Sequence, residues 1–148
     1  MRLKELLKMK GNVLHHVGPQ ETLPGALAQM VEKDIGSLLV MDGDRMVGLI
    51  TFRELLAAIH HHENGMQSVR IADIMITDPA TAGPDDTIDH MRALMTEKHI
   101  RYLPIIDNGE LLGVLSFHDL ARAALNVATI ENRVLKRYIK NWPEDDAA

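Results

Sequence analysis

Slid along itself by 65 residues, this sequence aligns residues 19–55 with residues 84–120 and needs no gap. Thr22 falls on Thr87, Met30 on Met95, Lys33 on Lys98, Ile35 on Ile100 and Asp42 on Asp107. Gly48 then meets Gly113, Phe52 meets Phe117 and Leu55 meets Leu120. So many identities in one register mark a duplication. A duplication within 148 residues leaves room only for two small halves that bury their apolar faces together.

Each copy reads as the same string of elements. Thr22 and Thr87 stand where helix caps belong. Behind Thr22 the apolar Leu23, Ala26, Leu27, Met30 and Val31 repeat at helical spacing, and the second copy offers Ile88, Met91 and Met95 on the same face. A short apolar run follows, 37–41 or 102–106, with the length of a buried strand. Asp42-Gly43-Asp44 or Asp107-Asn108-Gly109 makes a turn, and Asn-Gly is a strong hairpin signal. The chain returns as a strand over 46–50 or 111–115, and a second helix starts at Thr51 or Ser116. With an extended segment before each first helix (13–17 and 80–82), the order is β-α-β-β-α. The fold class is α/β, in layers about a pseudo-two-fold axis.

Leu3, Leu6 and Leu7 predict a short amphipathic helix ahead of the first copy. Beyond Leu120, apolar Ala124, Val127, Ile130, Val134 and Tyr138 extend the last helix toward Trp142, before Pro143 and an acidic tail. The polar stretch 60–69, containing Asn64-Gly65, reads as the link between copies. The expected partition is 1–62 for N-terminal helix and first repeat, 63–72 for the linker, 73–125 for the second repeat and 126–148 for a helical extension and tail. A long amphipathic helix without a partner in the first copy predicts a homodimer that uses it, the alternative being a fold-back onto Leu3, Leu6 and Leu7.

Composition narrows the function. No cysteine is present, which removes disulfides, thiolate metal sites and cysteine nucleophiles. A net charge of −5 with 3% aromatic residues gives no basic stripe for nucleic acid. Apolar runs are too short to span a membrane, and Met1 is followed by Arg2, Lys4 and Glu5 rather than a signal core, so a cytoplasmic protein is expected. Three consecutive histidines, His60, His61 and His62, cannot all face one ion, and no metal is expected. No nucleophile, base and orienting group assemble, so the chain reads as non-catalytic.

The sharpest local pattern occurs twice, as Gly48-Leu49-Ile50-Thr51-Phe52-Arg53-Glu54 and Gly113-Val114-Leu115-Ser116-Phe117-His118-Asp119. A hydroxyl followed three residues later by an acid is a capping box. The same geometry offers free amides and a hydroxyl to a phosphate, and a carboxylate to ribose hydroxyls. Both readings stand on spacing alone.

With the Ile100-Arg101-Tyr102-Leu103-Pro104-Ile105-Ile106-Asp107 run and the Asp73-Ile74-Met75-Ile76-Thr77-Asp78-Pro79 opening of the second copy, the chain resembles a tandem pair of cystathionine-β-synthase-like (CBS) domains over residues 11–125. Its layout is similar to stand-alone bacterial CBS pairs with a long final helix. The resemblance implies a dimeric regulatory module binding AMP, ADP, ATP or NAD(H) in two clefts between the copies, and acting on a regulated protein. In cleft A it implies Ser116 and Asp119 on ribose and phosphate, Arg101 facing the phosphates, and His15, His16, Ile35 and Gly36 around adenine. In cleft B it implies Thr51 and Glu54, with Thr77, Pro79, Thr81 and Ile100 around adenine. Glu54 departs from the family's usual Asp, and Gly36 stands where the second copy has Arg101. Cleft A is therefore expected to bind more tightly. The competing expectation is a purely structural dimerisation module with no nucleotide.

Overall fold

The computed structural model describes residues 1–11 and 13–138. In the first repeat, β1 (His16–Val17) pairs parallel to β2 (Ser37–Asp42), which pairs antiparallel to β3 (Arg45–Thr51). In the second, β4 (Tyr102–Asp107) and β5 (Glu110–Ser116) form the same hairpin. Ser37 opposes Thr51 as Tyr102 opposes Ser116, and both hairpins are bulged at the same place, Val40/Met41 and Ile105/Ile106. The second copy's counterpart of β1 is a single parallel bridge from Ala82 to Ile105, closed by two hydrogen bonds. Helix α2 (Leu23–Lys33) and helix α5 (Ile88–Lys98) precede the hairpins; α3 (Phe52–His61) and α6 (Phe117–Tyr138) follow them.

Local chemistry sets these boundaries. The Thr22 and Thr87 hydroxyls accept the Gly25 and His90 amides at the starts of α2 and α5. Both helices end on a left-handed residue, Asp34 (φ 52°) and His99 (φ 56°), at equivalent positions. Asn108 and Gly109 both have positive φ, as the hairpin turn after β4 requires. On α2 the sheet covers only a strip. Leu23, Ala26 and Met30 are buried, whereas Leu27 and Val31, expected on the same face, are exposed.

The segments ahead of the repeats are exchanged. Helix α1 (Leu3–Lys10) precedes the first repeat but packs Leu3, Leu6 and Leu7 into the second repeat's core, against Ile88, Met91, Leu103 and Leu120. Reciprocally, Val69 and the short helix α4 (Ile71–Ile74) pack into the first repeat's core. The backbone contacts match one for one. Leu3 N–H donates to Asp86 and Lys4 N–H to Pro84; Ile71 N–H donates to Glu21 and Ala72 N–H to Pro19. Bridges Arg2–Thr87 and Thr22–Arg70 complete the pairs. The expected 63–72 linker is therefore more than a polar connection: it holds a 3₁₀ turn at Met66–Ser68, two core residues and the start of α4.

The long helix is divided in role. Leu120 and Ala123 of α6 join α1 in the second core, so its beginning follows the fold-back alternative. Further along, Val134 and Leu135 are 44% and 59% exposed. Trp142, Pro143 and the acidic tail lie outside the described residues.

Leu3 and Ile71 are fully buried in opposite repeats. Leu3→Ala and Ile71→Ala should each cost about 2–5 kcal/mol. Because each arm ties its neighbour's core to its own, either change should lower one shared urea transition. Two resolved transitions in either variant would contradict this coupling.

Candidate functional site

Two strand-to-helix junctions carry the doubled motif, and they close differently. At the first, the Glu54 Oε1 accepts both the Thr51 amide (2.8 Å) and the Thr51 hydroxyl (2.6 Å), while the Thr51 oxygen accepts the Arg53 amide. The longer acid folds one oxygen back onto its own cap. At the second, Asp119 Oδ2 accepts the Ser116 amide (2.8 Å) and the Ser116 hydroxyl accepts the Asp119 amide (3.0 Å). The Lys10 ammonium reaches the same Asp119 oxygen at 2.7 Å and also donates to the Val114 carbonyl at 3.1 Å.

Above this second junction lies a cleft of about 440 Å³. One wall comes from the first repeat, with His15, Ile35, Gly36 and Ser37; the other comes from the second, with Tyr102, Val114, Ser116 and His118. The end of α1 supplies Leu7, Lys10 and Gly11 as its rim. Gly36 is required by a close approach: a Cβ there would collide with the Tyr102 hydroxyl. The Tyr102 ring meets Phe52 edge-on at 6.5 Å, linking the second repeat to the start of α3.

The inequality of the two sides comes from the exchanged arms. After α4 the chain unwinds, and Ile76 zips onto Leu49 of β3 through two backbone hydrogen bonds of 2.9 and 2.8 Å. Helix α1 instead stays helical to Lys10, and the equivalent β5 carbonyl, that of Val114, is met by a lysine side chain. Leu7 takes the place over Gly113 that Met75 takes over Gly48. A side chain replaces a docked backbone, and the cleft stays open on that side.

The CBS domain family matches residues 3–61 and again 71–126, together well over half of the chain. The chain belongs to the CBS domain family. A crystal structure of a CBS-domain-containing protein from Agrobacterium tumefaciens is similar with a TM-score of 0.80 and 26% identity, covering 84% of this chain and 99% of that one. CBSX2, crystallised in complex with AMP, is similar with a TM-score of 0.72 and 25% identity, over 86% of this chain and 98% of that one. Inosine-5'-monophosphate dehydrogenase from Korarchaeum cryptofilum is 35% identical over 105 residues, which cover 70% of this chain and 21% of the enzyme. The chain thus spans about a fifth of the length of that relative.

Within the CBS pair, the structure gathers His15, Ile35, Gly36 and Ser116 around one cleft, with Asp119 behind Ser116. Two residues expected there stand elsewhere. Strand alternation turns His16 away from His15, onto a separate depression with Met41 and Glu110. Arg101 lies with its guanidinium 5.3 Å over the Phe52 ring at the start of α3, and is not among the residues lining this cleft. Of the residues expected at cleft B, Thr77 and Thr81 are exposed, Pro79 is half-buried, and Ile100 packs on the second core. Lys10, Ser37 and Tyr102 were not anticipated as site residues. For Lys10 the one available signal was its place in the last turn of a predicted amphipathic helix. The His60 and His61 rings meet edge-on at 5.1 Å, and no group of three ligating side chains converges among the described residues.

Burial opposes ionisation of Asp119, but the Lys10 hydrogen bond, the Ser116 amide, the Lys10 charge and the Ser116 hydroxyl outweigh it. Together they hold the carboxyl below the usual range. Burial pushes the Tyr102 hydroxyl up, Arg101 opposes this, and the Asp119 charge adds to it. Since the folded pKa of Asp119 lies below the unfolded value of about 3.9, its stabilisation is present above that pH and is lost as pH falls through the folded value. Lys10→Met should raise the midpoint of the Asp119 carboxyl titration followed by carbon NMR. The loss of stability between about pH 5 and pH 2 should become shallower. An unmoved Asp119 midpoint would show that the lysine contact does not hold the carboxylate.

Proposed function

We propose that this protein is a non-catalytic regulatory module that binds an adenine nucleotide in the cleft at Ser116 and Asp119. The observation that carries the reading is the open cleft at Ser116, with Asp119 behind that hydroxyl and Lys10 on the rim, facing Ile35 and Gly36 of the other repeat. A volume of about 440 Å³ falls within the range of small-molecule sites. The positive dipole end of α6 and the Ser116 hydroxyl suit a phosphate, Asp119 suits ribose hydroxyls, and the Ile35–Gly36 wall suits a flat base. The AMP complex of CBSX2 supports the same ligand class. AMP, ADP, ATP and NAD(H) share the adenosine and phosphate groups this arrangement suits.

The Thr51–Glu54 junction serves mainly as a cap in this reading, because one Glu54 oxygen is spent on two bonds to Thr51. The module acts as a homodimer. Support comes from exposed Leu27 and Val31 on α2, Leu56 on α3, and Val134 with Leu135 late on α6. Occupancy of a cleft built from both repeats shifts their relative set, and a regulated protein reads that shift.

At about a hundred times its Kd, a ligand bound only by the folded state adds roughly 2.7 kcal/mol. AMP at millimolar concentration should therefore raise the melting temperature by several degrees without being consumed. Asp119→Ala should remove most of that rise. Glu54→Ala should keep it while lowering the ligand-free melt by about 1 kcal/mol through its lost cap. A melt unmoved by AMP, ADP, ATP and NAD(H) alike would favour the structural dimerisation module instead, and turnover of the nucleotide would make the protein an enzyme.

A further inference from the structure

Lys10 is the only lysine or arginine lining the cleft, among the described residues, and its ammonium is already committed to Asp119. It is not a floppy arm. Helix α1 is pinned at its start by the Leu3 and Lys4 amides and along its length by Leu3, Leu6 and Leu7, so the lysine stem leaves a fixed point at the cleft rim. The Lys10 side chain as a whole is 45% exposed, and its stem can change rotamer without moving the helix. The other ionisable groups facing the cleft are Asp34, His15, Tyr102 and His118, so no second permanent cation is present there among the described residues.

We propose that Lys10 makes this cleft selective for phosphorylated ligands, nucleotides over nucleosides, by passing between Asp119 and the ligand's phosphate. The inference rests on the binding reading above. A ribose brings hydroxyl donors to Asp119 and competes with the ammonium for the same carboxylate. A nucleoside thereby strips Lys10 of its anion and offers none in return. A nucleotide places a phosphate by the first turn of α6, next to Ser116 and within the sweep of the lysine, and the ammonium exchanges one anion for another. Charge-assisted contacts of this kind are among the stronger single interactions in a protein. The selectivity therefore lies in an N-terminal helix outside the duplicated motif, and at the Thr51–Glu54 junction the equivalent Leu49 carbonyl accepts the Ile76 amide instead of a lysine.

The test is calorimetric titration of the full chain with AMP and with adenosine. The wild-type protein should favour AMP by about tenfold or more, the scale of one charge-assisted hydrogen bond. Lys10→Met should bring the two affinities together, by weakening AMP and leaving adenosine equal or tighter, and Lys10→Arg should keep the preference. Raising salt should narrow the wild-type ratio in the same direction, a reading that depends on no variant's folding. If both ligands bind, Asp119→Ala abolishes both, and the ratio is the same in wild type and Lys10→Met, the selectivity proposal is overturned while the site stands. If neither ligand binds the wild-type protein, the site itself is wrong and the proposal falls with it.

Discussion

The reciprocal insertion of each leading segment into the other repeat's core is the contact on which the rest of this molecule depends. A β-α-β-β-α unit with a two- or three-stranded sheet has too little apolar surface to close on its own, and domains of about 60 residues are marginal even when well packed. Leu3 and Ile71, both fully buried, fill the gap in the opposite unit. Their amides bond to Asp86 and Glu21, 65 positions apart, so the same socket is used twice. Exchange turns two marginal halves into one body and fixes the facing walls of the cleft.

Function enters where that symmetry lapses. The two arms are equivalent through their first turn and then diverge, one unwinding to lay Ile76 along Leu49, the other continuing as helix to Lys10. The first outcome seals a strand with backbone hydrogen bonds; the second leaves a strand facing a cavity, with a lysine reaching into it. Duplicate motifs thus stand in different surroundings. The acids reinforce the split: the extra methylene of Glu54 lets it embrace Thr51 alone, whereas the shorter Asp119 holds the Ser116 amide and the lysine together.

Much of the fold was legible because duplication doubles every signal. The strand runs, the Thr caps and the Asn108-Gly109 turn each follow from spacing and side-chain chemistry confined to a few neighbours. The capping boxes were equally plain. Less could be read of the arms, since Leu3, Leu6 and Leu7 announce an apolar face but not which core receives it, and the arms match at an offset different from that of the repeats. The same gap hid Lys10, whose partner lies 109 positions away. His16 shows the limit of transferring positions from a resemblance: one residue of strand alternation sends a side chain to the opposite face.

On the proposed binding reading, broken arm symmetry rather than the doubled motif decides where a ligand binds. Amide chemical-shift mapping during titration with AMP addresses it directly. Perturbations should concentrate at His15, Gly36, Ser116 and His118 and at Lys10 on α1, leaving Thr51 and Glu54 little changed. Equal perturbation of both junctions, or perturbation led by Thr51 and Glu54, would contradict the account.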